Sequence, residues 1–150
     1  SMDSPTGVER LSGYKDALAH QGIALNNDLI VKGKWTPACG AAGVDTLLSR
    51  KVNFTALVAS NDDMAIGAMK QLHEHGVSVP AQVSVIGFDD IALAAYTIPA
   101  LSSVKIPVTE MIQETIGRLI FMLGDGAFTP PKTFTGELIQ RDSVAPPASR

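Results

Sequence analysis

The side chains able to do chemistry gather at three places in this 150-residue chain: Lys34-Trp35-Thr36, Ser60-Asn61-Asp62-Asp63 and Asp89-Asp90. Each follows an apolar run, namely Leu29 to Val31, Phe54 to Ala59 and Val83 to Phe88. A carboxylate at such a position, Asp89 or Asp90, can accept two hydroxyl protons from a polyol or hold Mg²⁺. It can equally cap the amides of a turn. Asn61 can present its amide to a ligand or cap the helix that follows it. Trp35, the only tryptophan, can stack on the apolar face of a sugar ring or fill a core. Its polar neighbours Lys34 and Thr36 place it on a loop and favour stacking. Arg10 falls in the expected first turn of a helix, where the helix dipole disfavours a cation. That points to a duty beyond helix stability, with a solvated surface as the alternative.

No catalytic constellation accompanies these groups. His73 and His75 flank Glu74 near a helix end, and a spacing of two sends them to different faces, which argues against a metal pair. Gly33-Lys34 lacks the upstream glycine frame of a phosphate loop, and Gly40 and Gly43 do not make a dinucleotide fingerprint. There is no Gly-x-Ser-x-Gly elbow, and Cys39 has no nearby base. No cofactor or metal is implied.

These groups must be held by elements that the hydrophobic pattern outlines. Apolar spacing predicts a helix over residues 8–20, with Ser4 or Thr6 as its cap and Gly22 as its stop. Leu29 to Val31 reads as a short strand. Thr36-Pro37 looks like an N-cap with proline at the first helical position, opening a helix to Ser49 with Val44, Leu47 and Leu48 inward. Phe54 to Ala59 reads as a strand buried on both faces. Asn61 then opens a helix carrying Met64, Ile66, Met69 and Leu72 and ending at Gly76. Val83 to Phe88 is a second buried strand, 91–101 is irregular, and 103–105 is another strand. Val108, Met111, Ile112, Ile116, Leu119, Ile120 and Leu123 make one helical stripe. Phe134 to Gln140 reads as a last strand, with a frayed tail after Arg141. This alternation predicts an α/β fold with a doubly wound parallel sheet. In such sheets ligands collect at the carboxyl ends of strands, where the three polar clusters fall.

Hydrophobic residues make up 45% and charged residues 18% of the chain, which fits a globular domain with a core. The net charge is −3 and no basic stripe is present, so this segment itself is not expected to bind nucleic acid. One cysteine excludes an internal disulfide and suits a reducing compartment. Ser1 to Arg10 is polar and unlike a signal peptide, and no apolar run reaches a membrane span. The expectation is a cytoplasmic protein with no membrane contact.

Longer motifs carry a family resemblance. Ala56-Leu57-Val58-Ala59-Ser60-Asn61-Asp62-Asp63-Met64-Ala65-Ile66-Gly67-Ala68 and Val83-Ser84-Val85-Ile86-Gly87-Phe88-Asp89-Asp90 closely resemble the LacI/GalR family of bacterial repressors. Arg10-Leu11-Ser12-Gly13-Tyr14-Lys15-Asp16-Ala17-Leu18 matches its Arg-x-x-Gly-Tyr-x-x-Ala-Leu pattern. Pro99-Ala100-Leu101-Ser102-Ser103-Val104 and Arg141-Asp142-Ser143 match its later motifs. In detail the chain looks most like members that control β-glucoside (arbutin, salicin, cellobiose) use in enteric bacteria.

The resemblance implies a periplasmic-binding-protein-like fold, with two lobes around an effector cleft. It makes residues 1–106 the C-terminal lobe without its first strand. Residues 107–125 become a helix of the N-terminal lobe, 132–143 a returning strand and 144–150 a tail, with a helix-turn-helix headpiece lying outside this segment. It assigns Arg10 as a forked donor to sugar hydroxyls, Asn61 and Asp89 as acceptors, and Trp35 as a stacking wall, with Thr6 and Phe88 at the rim. Ile106 departs from members that carry a polar residue there. Ile66, Lys70, Leu93, Tyr96 and Thr97 are implied at a homodimer interface, the alternative being that the apolar ones are core. The implied partners are a carbohydrate effector and, through the headpiece, operator DNA. Two other functions compete: a transport-type sugar-binding protein, and an α/β enzyme using Asp89-Asp90 with Mg²⁺.

Overall fold

Among the described residues, three of the four α-helices start where a side chain takes up free amides. In the computed structural model, which describes residues 4–124, 127, 128, 130 and 132–147, α1 (Pro5–His20) is capped by the Ser4 hydroxyl, which accepts from the Gly7 amide at 3.1 Å. Thr36 caps α2 (Pro37–Ser49) through the Cys39 amide at 3.3 Å, with Pro37 pre-set for the first turn. Asn61 caps α3 (Asp62–Glu74), and Pro107 precedes α4 (Val108–Leu123). Gly76 closes α3 in the left-handed region at φ 71°, letting the Val77 amide return to the Leu72 carbonyl at 2.9 Å.

The strands are short. β1 (Ala56–Val58) pairs in parallel with β2 (Ser84–Ile86), Leu57 facing Val85. Parallel bridges Ile86 to Ser102 and Asp89 to Lys105 connect β2 to β3 (Ser103–Lys105). β4 (Glu137–Ile139) runs antiparallel to β3, so the parallel α/β sheet ends in a reversed strand. The core lies between the sheet and the α2–α3 pair, built from Val44, Ala59, Ala65, Ala68, Leu72, Val83, Val85, Ala94 and Leu101.

α2 and α3 approach each other backbone to backbone. A Cβ on Gly67 would lie 2.6 Å from the Pro37 carbonyl carbon, and one on Gly40 would lie 2.7 Å from that of Met64. This reciprocal contact sits at the N-terminal ends of both helices. It draws the loop carrying Trp35 toward Ser60 and Asn61.

The chain end is stitched into the sheet. The buried Ser143 hydroxyl donates to the Val85 carbonyl at 2.6 Å and accepts from the Ser102 amide at 2.8 Å. Arg141 donates to the Leu101 carbonyl and the Asp90 carboxylate, each at 2.7 Å. The Ser84 hydroxyl donates to the Ala145 carbonyl at 3.0 Å. The expected fraying therefore does not begin at Arg141; residues 148–150 lie outside the described residues.

Three expectations need correction. Leu29 to Val31 is not a strand: Asn27–Leu29 form a 3₁₀ turn, and the Asp28 and Ile30 carbonyls accept from the Arg50 guanidinium at 2.7 and 3.1 Å. The run 54–59 is not buried on both faces. Val58 is 63% exposed, and β2 is the one strand paired with β1 among the described residues. The irregular 91–101 segment contains a 3₁₀ helix, Ala92–Tyr96. Helix α4 follows its expected span and leaves its apolar stripe exposed, from Val108 and Met111 through Ile120 to Leu123.

Candidate ligand-binding site

Arg10 is the hub of the polar clusters. It is the sixth residue of α1, past the first turn, so the expected dipole penalty has largely decayed there. Its position follows from contacts instead. One terminal nitrogen donates to the Ser60 carbonyl, and the other pairs with Asp89 Oδ1 at 3.2 Å. The guanidinium lies 3.8 Å from the centre of the Phe88 ring and 5.2 Å from that of Trp35, both within cation–π range. Thus α1, the loop before α2, the β1–α3 junction and the end of β2 converge on one guanidinium. The side chains of Arg10 and Asp89 remain 19% and 36% exposed, so this convergence is an accessible surface. Two hollows lie elsewhere, one of about 640 Å³ beside Ile66, Val77 and Ile98 and one of about 540 Å³ along α4.

Asp89 and Asp90 stand at φ 109° and 55°, where side chains beyond glycine are strained. Their surroundings fix them. The Asp89 amide donates to the Val104 carbonyl at 2.9 Å, and the Asp90 carboxylate pairs with Arg141 at 2.7 Å. Burial raises the Asp89 carboxyl above the ordinary aspartate range. Arg10 opposes that rise, and the nearby charges of Asp62 and Asp63 add to it. Asp89 is therefore the carboxylate facing the cluster, whereas Asp90 is occupied structurally.

The other expected ligand residues are placed as follows. Asn61 is buried, and its Oδ1 accepts from the Met64 amide at 3.0 Å. That oxygen gives one lone pair to the cap, which leaves its second lone pair and the amide nitrogen for a ligand. The Phe88 ring stacks on the guanidinium. Thr6 is exposed in the first turn of α1, one turn before Arg10. Ile106 is half-buried. Sequence reasoning missed the Ser60 carbonyl, which no side-chain motif announces, and the role of Asp62.

The expected interface residues divide. Leu93 and Tyr96 are exposed, alongside Ile98 at 99% exposure. Ile66 is half-buried and packs against the core. Lys70 is exposed and paired with Glu74, and the Thr97 hydroxyl bonds internally to the Pro99 carbonyl at 2.8 Å.

A family model for the periplasmic binding protein-like domain matches residues 2–144. The chain belongs to the periplasmic binding protein-like family. This domain is 75% identical over 148 residues to the HTH-type transcriptional regulator AscG of Escherichia coli (strain K12), an alignment covering 99% of the chain and 44% of that regulator. It superposes on a sugar-binding transcriptional regulator of the LacI family from Escherichia coli, complexed with phosphate, with a TM-score of 0.91 and 76% identity. That match covers 97% of this chain and 53% of the other. It also superposes on the transcriptional regulator CelR in complex with cellobiose, with a TM-score of 0.90 and 31% identity, covering 95% of this chain and 44% of the other. The domain is thus similar to part of LacI-family transcriptional regulators, and the relatives named here are regulators. The chain spans about half the length of the regulators it matches.

Proposed function

We propose that this chain is the carbohydrate-sensing and dimerisation domain of a cytoplasmic bacterial transcriptional repressor, and that its effector is a β-glucoside such as arbutin, salicin or cellobiose. The observation that carries the reading is the convergence of Asp89, Trp35 and Phe88 on Arg10. A sugar needs this combination: a charged acceptor and donor for vicinal hydroxyls, and an aromatic face for the C–H side of the ring. Arg10, Asp89, Trp35 and Phe88 are the contacts, joined by the Asn61 amide, with Thr6 at the edge. The site binds and does not turn its ligand over.

In this reading residues 1–106 and the returning strand within 132–143 form one lobe. The exposed apolar stripe of α4, within 107–125, is the seat of a second lobe. Effector held between lobes favours one relative orientation, and that shift changes the spacing of DNA-binding headpieces on the operator. Two headpieces require a homodimer. The exposed Leu93, Tyr96 and Ile98, next to Ile66, Lys70 and Thr97, supply an apolar patch suited to one. The relatives being transcriptional regulators favours this over a transport protein.

The test is calorimetric titration of the full-length regulator carrying this chain with cellobiose, salicin, arbutin, their 6-phosphates and matched galactosides. Saturable binding of a β-glucoside is expected, weakened at least about tenfold by Arg10→Gln through loss of a charge-assisted hydrogen bond. Absence of saturable heat with every compound would sink the reading.

A further inference from the structure

A fully buried carboxylate lies behind the site, and neither the sugar contacts nor the core needs its charge. Asp62 forms no ion pair among the described residues. Its Oδ2 accepts from the Ile91 amide at 2.8 Å, and its Oδ1 accepts from the Ser103 hydroxyl at 2.5 Å. The Ser103 oxygen in turn accepts from the Asp90 amide at 3.1 Å. The Asp62 amide donates to the Phe88 carbonyl at 2.9 Å. One residue thereby grips the turn that leaves β2 at three points: residue 88 through its amide, 90 through Ser103, and 91 through its carboxylate.

The turn it grips is the strained one. Asp89 and Asp90 sit at positive φ, a conformation that persists only when its surroundings over-determine it. Gly87 marks how tightly the carboxylate is seated, since a Cβ there would stand 3.1 Å from Asp62 Cγ and closer still to Oδ1. A buried charge without hydrogen bonds is costly, so the carboxylate stabilises only the geometry in which both amide and hydroxyl point at it. That geometry puts the Phe88 ring and the Asp89 carboxylate against Arg10.

We infer that Asp62 is a positioning residue for the ligand site, a buried clamp that holds the 87–91 turn so that Phe88 and Asp89 meet Arg10. The inference rests on the site proposed above for its ligand, but the clamp itself is tested without one. Asp62→Ala removes both acceptors. Asp62→Asn keeps the shape and one acceptor, and its amide can donate to the Ser103 oxygen, so it serves as the rescue. Ser103→Ala removes one arm and leaves the carboxylate in place.

Two readouts apply to each variant. The first is the ring-current displacement of the Arg10 side-chain proton resonances by Phe88 in the ligand-free protein. The second is cellobiose affinity per folded molecule in the full-length regulator. Asp62→Ala should abolish the upfield displacement and weaken cellobiose at least about tenfold, as expected when a charged hydrogen-bonding partner is misplaced. Asp62→Asn should keep the displacement and stay within about threefold of the parent. A merely structural Asp62 would lower the folded fraction while leaving both readouts of the folded molecules unchanged, and that result overturns the inference. If Asp62→Ala does not fold, Ser103→Ala decides, with a reduced displacement expected and an unchanged one refuting. If the parent protein fails to bind cellobiose, the proposed ligand is at fault, and the Arg10 resonances still decide the clamp.

Discussion

The close crossing of α2 and α3 gives a quantitative handle on what aligns the site. In Gly67→Ala, the new methyl would start 2.6 Å from the Pro37 carbonyl carbon and 2.8 Å from its Cα. Carbon atoms pack comfortably at about 3.5–4.0 Å, so the helices must part by roughly 0.9 Å or more. The obstacle is backbone, which cannot rotate away. Overpacking of this sort costs about 1–3 kcal/mol, and the upper half of that range applies where nothing flexible yields. Alanine returns about 1 kcal/mol through its better helix propensity. A net loss of about 1–2 kcal/mol is expected, lowering the melting temperature by roughly 2–4 °C for each kcal/mol. Gly13→Ala in α1 and Gly117→Ala in α4 are internal controls, because a Cβ at either position meets nothing within 4 Å. These should gain up to about 1 kcal/mol. Urea unfolding followed by far-ultraviolet circular dichroism separates the cases. The parting helices should also move Trp35 relative to Arg10 and change its emission. A Gly67→Ala protein that gains stability as the controls do, with tryptophan emission unchanged, would refute the reasoning.

Ser143→Ala leaves the Val85 carbonyl and the Ser102 amide without a buried partner, at about 1–3 kcal/mol each. Chemical unfolding should show a loss near 3 kcal/mol, and a loss below about 1 kcal/mol would mean that water replaces the hydroxyl freely. Asp89 titrates above the ordinary aspartate range because burial disfavours its charge. Its protonated form thus supports the fold, a contribution present below the unfolded-chain value and lost as pH rises through the folded one. Asp89→Asn should therefore gain stability relative to the parent at neutral pH, and this advantage should shrink in acid; a pH-independent difference between the two unfolding curves would contradict it. Tyr96 is 80% exposed on the proposed dimer patch. Tyr96→Asp should shift the full-length regulator toward monomer in sedimentation velocity, without loss of helical signal.

The helices were legible because their signals are local. Ser4, Thr36 and Asn61 each cap where a short oxygen-bearing side chain precedes an apolar period, and Pro37 occupies the first turn. Strand pairing is non-local, which explains the misplaced strand at 29–31. An apolar triplet looks the same whether a neighbouring strand or the Arg50 guanidinium takes the carbonyl of its middle residue, Ile30. The convergence on Arg10 followed from the strand-end clusters and the family motifs together. The argument from helix polarity did not carry it, since α1 begins at Pro5 and leaves Arg10 beyond the first turn. Asn61 shows the limit of residue type as a guide, because the same side chain suits a helix cap and a ligand contact, and its oxygen, with two lone pairs, can serve both. Asp62 was read as one more acid in a polar run. Its burial depends on Ser103 and Ile91, far along the chain, and Gly87 ahead of the turn was the one hint that something large lay opposite.

The backbone at Asp89 sets durability against responsiveness. Glycine there would relax an unfavourable torsion and erase the carboxylate in the same stroke. A laboratory screen that rewards heat resistance alone is thus steered toward sturdier proteins that have lost the proposed ligand contact. Evolving a hardier version of this domain calls for scoring the proposed ligand binding in every round.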